Sequence, residues 1–170
     1  PEVIFATNTS SISISKLAAE TKRPARFIGL HFFNPVPVMK LVEVVKSIAT
    51  DPQVYEEMVA FGTKLGKSPV RATDSTGFIV NRLLFPHMLE AIKMAEEGIA
   101  SIEDIDKAVK LGLNYPMGPF ELMDLTGVDV GLHVIEYLYR ELNKESKWSA
   151  PTLLRSMVRA GKLGRKTGGG

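Results

Sequence analysis

The chain has 170 residues, 45% of them hydrophobic and 24% charged, the balance of a folded globular protein rather than a disordered one. Its formal charge of +2 is too small to argue for a nucleic-acid surface, and the lack of cysteine excludes a disulfide scaffold. No apolar run is long enough to span a bilayer, so the sequence reads as an intracellular soluble protein.

Residues 3–7 predict a strand, and Asn8 to Ser11 the loop at its carboxyl end, where open α/β sheets place ligand-contacting side chains. Ser10 and Ser11 are marked on that ground, although turn or helix-capping chemistry is the plainer explanation of both. Ser15 to Thr21 predicts a short helix stopped by Pro24, and Phe27 to Phe33 a strand with His31 towards its end. Leu41 to Val45 is apolar apart from Glu43, as expected of a strand covered on both faces, where a carboxylate must find a partner. The nearest candidate is His31. Pro35 and Pro37 exclude regular helix between them and allow a short crossing that brings the two strands together. A histidine oriented by a carboxylate is the usual build of a general base working near neutral pH, and a core pair that merely satisfies itself is the competing explanation. The three histidines, His31, His87 and His133, stand too far apart to form a recurrent metal-ligand pattern.

Asp51 and Pro52 open a helix to about Leu65, closed by Gly66, with Val54, Met58, Phe61 and Leu65 as its expected core stripe. Val70 to Thr73 predicts a last strand. Strand, helix, strand, strand, helix, strand is part of an α/β sheet domain without its beginning, so the chain is expected to be the downstream portion of a longer polypeptide.

From Asp74 onward the pattern is helical only. Asp74 to Gly77 predicts a loop and cap, and Phe78 to Glu97 a helix apolar nearly all round, hence buried, and kinked at Pro86. Asn81 and Arg82 are polar groups on this greasy element. A ligand and a backbone contact are equally open for Asn81, and a salt bridge or snorkelling is expected for Arg82. Further helices run from Ser101 to Lys110 with Asp104 completing a capping-box variant, and from Pro119 to near Gly127. Two more run from an Asp129 cap to about Leu142, with Val130, Val134, Tyr137, Leu138 and Glu141 along one stripe, and from Pro151 to near Gly161. A helical set of roughly 90 residues gains by pairing with another copy to bury its stripes. The tail KLGRKTGGG fails as a phosphate loop, because Lys166 follows Arg165 and a helix rather than a glycine and a strand. A mobile basic tail, or a loop presenting Lys166 to an anionic cofactor, are the two readings left.

NTSS at 8–11, GLHFFNPVPVMKLVEVV at 29–45, GFIVNRLL at 77–84, DIDKAVKLG at 104–112 and YPMGPFELMDLTG at 115–127 together resemble the L-3-hydroxyacyl-CoA dehydrogenase family, in its short bacterial 3-hydroxybutyryl-CoA type. The resemblance implies the C-terminal part of a Rossmann-type, NAD-binding sheet domain over 1–73, and a helical domain over 74–170 through which the family forms homodimers. It implies an NAD-dependent enzyme acting on acyl-CoA in the bacterial cytoplasm or, in a eukaryote, the mitochondrial matrix. His31 corresponds to the catalytic base, Glu43 to its orienting carboxylate, Ser10 to a hydroxyl touching substrate and cofactor, and Asn81 to a substrate hydrogen-bonder. Asn34 and Lys166 fall with Ser10 on the cofactor side. The glycine-rich G-x-G-x-x-G turn and the acidic residue for the ribose are not found in these 170 residues, so the polypeptide by itself is expected to be inactive. An acyl-CoA-binding and dimerisation module without activity, and a sugar-acid dehydrogenase relative, are the alternatives.

Overall fold

The computed structural model describes residues 2–170, and the chain divides into two compact units, 1–82 and 83–170. The first unit is built on a four-stranded sheet in the order β1 (Phe5–Thr7), β2 (Phe27–Phe32), β3 (Leu41–Lys46) and β4 (Ser68–Thr73). β1 runs parallel to β2, β2 antiparallel to β3, and β3 parallel to β4. The antiparallel turn-back sets His31 directly opposite Glu43, and Leu30 opposite Val44.

Alternation along the strands divides the burial between two faces. Ile28, Leu30, Val42 and Val44 meet Val54, Tyr55 and Met58 of α2 (Pro52–Lys64), while Val45 on the other face packs with Ile14 of α1 (Ile14–Ala19) and with Phe78. Asp51 caps α2, its Oδ1 accepting from Gln53 N–H at 2.7 Å, and Gly66 follows its end with φ of 73°. The expected core stripe of α2 is half right. Val54 and Met58 are buried, but Phe61 is 42% and Leu65 48% exposed, their places taken by Tyr55 and Gly62. A Cβ on Gly62 would stand 3.2 Å from Val42 Cγ1, so at Gly62 the helix lies close on the sheet, with Phe61 and Leu65 turned outward.

α1 is begun from a distance. The Asp74 carboxylate accepts from Ser13 Oγ at 2.7 Å, Ile14 N–H at 2.9 Å and Ser15 N–H at 2.7 Å, tying the loop after β4 to the first turn of this six-residue helix.

The predicted helix from Phe78 starts later, as α3 (Val80–Glu96), because Gly77 and Phe78 have left-handed backbones, with φ of 80° and 47°. Nor is α3 buried all round: Phe85, Met88, Leu89 and Ile92 are buried, but Leu83 is 72% exposed. Among the described residues Arg82 makes no salt bridge; its Nη1 donates to Ser75 Oγ at 2.6 Å.

The second unit continues with α4 (Ile102–Gly112), α5 (Pro119–Thr126), α6 (Val128–Glu141) and α7 (Thr152–Arg159). Its core joins Phe85, Met88, Leu89 and Ile92 to Met123, Leu132, Ile135, Leu138, Trp148 and Leu154. The expected stripe of α6 is displaced: Val128, Gly131, Leu132, Ile135 and Leu138 face inward, and Val130 faces out. The helix starts one residue before the predicted Asp129 cap, with Gly127 at φ of 104° in the cap position, which releases the Asp129 carboxylate to take Lys166. The tail is not a loose basic segment. Arg165–Thr167 forms a single 3-10 turn, closed by a bridge between Gly164 and Gly169.

The start of α5 is built around a carboxylate on α4. Asp106, 7% exposed, accepts from Phe120 N–H at 2.8 Å and Glu121 N–H at 2.9 Å. Glu121 reaches back to Gly118 N–H at 3.1 Å and is itself held by Lys110 Nζ at 2.9 Å.

Candidate active site

His31 is 4% exposed and Glu43 fully buried, and the opposed strand positions bring His31 Nδ1 to 2.6 Å from Glu43 Oε2. A carboxylate only accepts, so Nδ1 carries the hydrogen and the lone pair is left on Nε2. The other carboxylate oxygen, Oε1, accepts from Ile79 N–H at 3.1 Å and Val80 N–H at 2.9 Å. Those are unsatisfied donors at the beginning of α3, where the helix dipole favours negative charge. Glu43 therefore has two kinds of partner, an imidazole and a helix start. The left-handed turn at Gly77 and Phe78 aims both N–H groups at it, a backbone strain of about 1–2 kcal/mol at Phe78 that the capping offsets. The imidazole is walled by Phe33, with ring centroids 4.5 Å apart, and by Phe78 at 5.6 Å.

Asn81 lies in the first turn of α3 and donates through Nδ2 to the backbone carbonyl of Ser10 at 3.2 Å. Of the two readings of this side chain, a backbone contact is present, with one amide hydrogen and the amide oxygen left over for another partner. The loop carrying Ser10 is fastened a second time by Asn8, whose Oδ1 accepts from Phe32 N–H at 2.9 Å. The Ser10 and Asn34 side chains are exposed. They follow the carboxyl ends of the parallel strands β1 and β2 and so leave the sheet at the same edge, the one towards which His31 lies. Lys166 belongs to the second unit, where its Nζ lies 2.5 Å from Asp129 Oδ1; that hydrogen bond holds the Asp129 carboxyl below the usual range. Among the described residues no group of three His, Asp or Glu side chains is placed to hold a metal ion.

Four residues that build this structure escape a reading of the sequence. The N–H groups of Ile79 and Val80 were hidden by placing Phe78 inside the helix. Asp74 and Asp106 act on segments far along the chain. Asp106 did carry a signal, since it is a carboxylate next to Ile105 on the inward face of α4, the same misfit that draws attention to Glu43.

The fold is a Rossmann-like mixed sheet followed by a helical unit, with a buried imidazole and carboxylate paired across its two central strands. The sequence model for the NAD binding domain of 3-hydroxyacyl-CoA dehydrogenase matches residues 1–75, and that for its C-terminal domain residues 77–170. The chain belongs to the 3-hydroxyacyl-CoA dehydrogenase family.

It is 50% identical over 171 residues to a 3-hydroxybutyryl-CoA dehydrogenase of Mycobacterium tuberculosis, covering 100% of this chain and 59% of that protein. It is 51% identical over 168 residues to the mitochondrial hydroxyacyl-coenzyme A dehydrogenase of Homo sapiens, covering 98% of this chain and 53% of the human one. The crystal structure of (S)-3-hydroxybutyryl-CoA dehydrogenase from Ralstonia eutropha superposes with a TM-score of 0.95 at 51% identity, over 99% of this chain and 59% of that one. The chain thus spans somewhat more than half the length of the relatives it matches. No helix among the described residues is long and apolar enough to cross a membrane.

Proposed function

We propose that the full-length protein is an NAD-dependent dehydrogenase that interconverts L-3-hydroxyacyl-CoA and 3-oxoacyl-CoA, with 3-hydroxybutyryl-CoA as its substrate and His31 as the acid and base. The observation that carries this is the 2.6 Å contact between His31 Nδ1 and Glu43 Oε2, which leaves Nε2 as the one ring atom able to exchange a proton with a substrate hydroxyl.

In the oxidising direction His31 Nε2 takes the proton of the 3-hydroxyl, and the imidazolium so formed is stabilised by the Glu43 carboxylate beside it. In the reducing direction the same nitrogen returns the proton to the carbonyl oxygen. Asn81, tied to Ser10, and the Ser10 hydroxyl hold the reacting oxygen in line, which is an orientation effect. Phe33 and Phe78 keep water from the imidazole. NAD, when bound, supplies the hydride acceptor. The fit of this chain to that cofactor rests on Ser10 and Asn34, exposed at the sheet edge where His31 lies. Lys166, bonded to Asp129 within the second unit, keeps further N–H donors for an anionic cofactor. The exposed apolar side chains of the helical unit, Leu83, Leu111 and Leu113 among them, support a homodimer formed through it.

Replacing His31 with Gln keeps the size and polarity of the side chain and removes the base. In the full-length protein kcat/KM for 3-hydroxybutyryl-CoA should fall by roughly 10²–10⁴. A variant that keeps the wild-type rate would remove His31 from the reaction, and a wild type that turns over no 3-hydroxyacyl-CoA would refute the function itself.

A further inference from the structure

At the carboxyl ends of β3 and β4 three cations from three elements line a cavity of about 520 Å³: Lys46 ends β3, Arg71 lies on β4 and Arg82 in the first turn of α3. Arg71 is paired with Val44 and Thr73 with Lys46, so these side chains leave the sheet on the face that α2 covers. Glu43 leaves it on the other face, with Val45, and His31 stands three strand positions from the Lys46 end. The cavity shares Phe78 and Ile79 with the surroundings of the imidazole and carboxylate pair, but the charged side chains of Lys46 and Arg71 leave the sheet on the opposite face.

The charges here are not balanced. Arg71 is held in a two-pronged contact with Glu56, both N–H groups at 2.6 Å. Among the described residues neither Lys46 nor Arg82 is ion-paired, so three cations face one carboxylate. Lys46 Nζ and Arg71 Cζ each lie 5.3 Å from the centre of the Tyr55 ring, which attracts both cations to it. Arg82 is fixed by its bond to Ser75. Cations held close on a rigid frame repel one another, and a bound anion relieves that repulsion. Hydroxyl groups on Thr73 and Ser75 add neutral donors, and the volume lies in the range of small-molecule sites.

We propose that this cavity is a second binding site, for a small diphosphate-bearing anion, distinct from the site that handles the proton. It goes beyond the dehydrogenase reading and does not depend on it, because binding is measured without turnover.

The test titrates inorganic pyrophosphate into the full-length protein, with NAD+ present at saturating concentration, and follows heat. Saturable binding with one site per chain is expected. Lys46→Met and Arg82→Met should each weaken it about tenfold, the loss of one charge-assisted contact. Lys64→Met, which removes the same charge from an exposed position in the last turn of α2, should leave it unchanged. No saturable binding at millimolar pyrophosphate, or equal weakening by Lys64→Met, would overturn the proposal.

Discussion

Asp106 and Gly118 are shaped to one another: a Cβ on Gly118 would stand 2.3 Å from Asp106 Oδ1, closer than real contacts allow. The carboxylate occupies that space because it accepts from the first free N–H groups of α5. Gly118→Ala must push Asp106 away from those donors. The variant should lose about 1–3 kcal/mol of stability, read as a lower denaturant midpoint, from overpacking and a damaged cap together. An unshifted midpoint would mean that the Asp106 side chain moves at no cost.

Glu43→Gln retains an oxygen for Ile79 and Val80 but removes the charge beside His31. It should lower kcat by roughly 10² or more, with KM changed much less, because the tautomer and the imidazolium both lose their support. Glu43→Ala should also destabilise the fold, by about 3–5 kcal/mol, since a buried pair is broken and helix donors are orphaned. Thermal melts of the two variants separate these effects.

Asn81→Ala deletes the tie to the Ser10 carbonyl as well as any contact with substrate. The stability cost of the lost hydrogen bond should be small, about 1 kcal/mol, whereas kcat/KM should fall at least tenfold through misplacement of the reacting oxygen. Comparable losses in stability and none in kcat/KM would make Asn81 a purely structural link.

Acid sensitivity should trace in part to Asp74. Burial by itself would raise its carboxyl, but hydrogen bonds from Ser15, Ser13 and Ile14 outweigh it and hold the carboxyl below the ordinary carboxylate range. A group lowered on folding adds stability that is present above its unfolded value and is lost as the pH falls through its folded one. Stability should thus drop on acidification through and below the usual carboxylate range, and Asp74→Asn should be less stable at neutral pH and flatter over that window. Midpoints of urea unfolding across pH would show an identical slope for both proteins if Asp74 plays no part.

What the sequence discloses and what it conceals follow a physical division. Strand and helix identities, the α2 cap at Asp51 and the pairing of His31 with Glu43 rest on local periodicity, on prolines, and on one charge in an apolar run, all visible within a dozen or so residues. The inward faces of α2 and α6 are a different matter. Which of several apolar residues turns inward is decided by the partner surface, as at Gly62 against Val42, and by where the helix begins, as at Gly127. The carboxylate that starts α1 acts across 59 residues and leaves no periodic trace, whereas Asp106 shows only as a charge on an inward helix face. Arg82 finds a hydroxyl seven residues back, a partner that composition does not distinguish from any other serine.

The carboxylate of Glu43 has one oxygen on the imidazole and the other on the opening amides of α3, so proton chemistry and helix geometry share a single anchor. A shift of the Phe78 to Val80 backbone would move the carboxylate that holds the His31 ring. Kinetic lesions in this protein should therefore arise from changes to the backbone at Phe78 to Val80 as well as from loss of a reacting side chain.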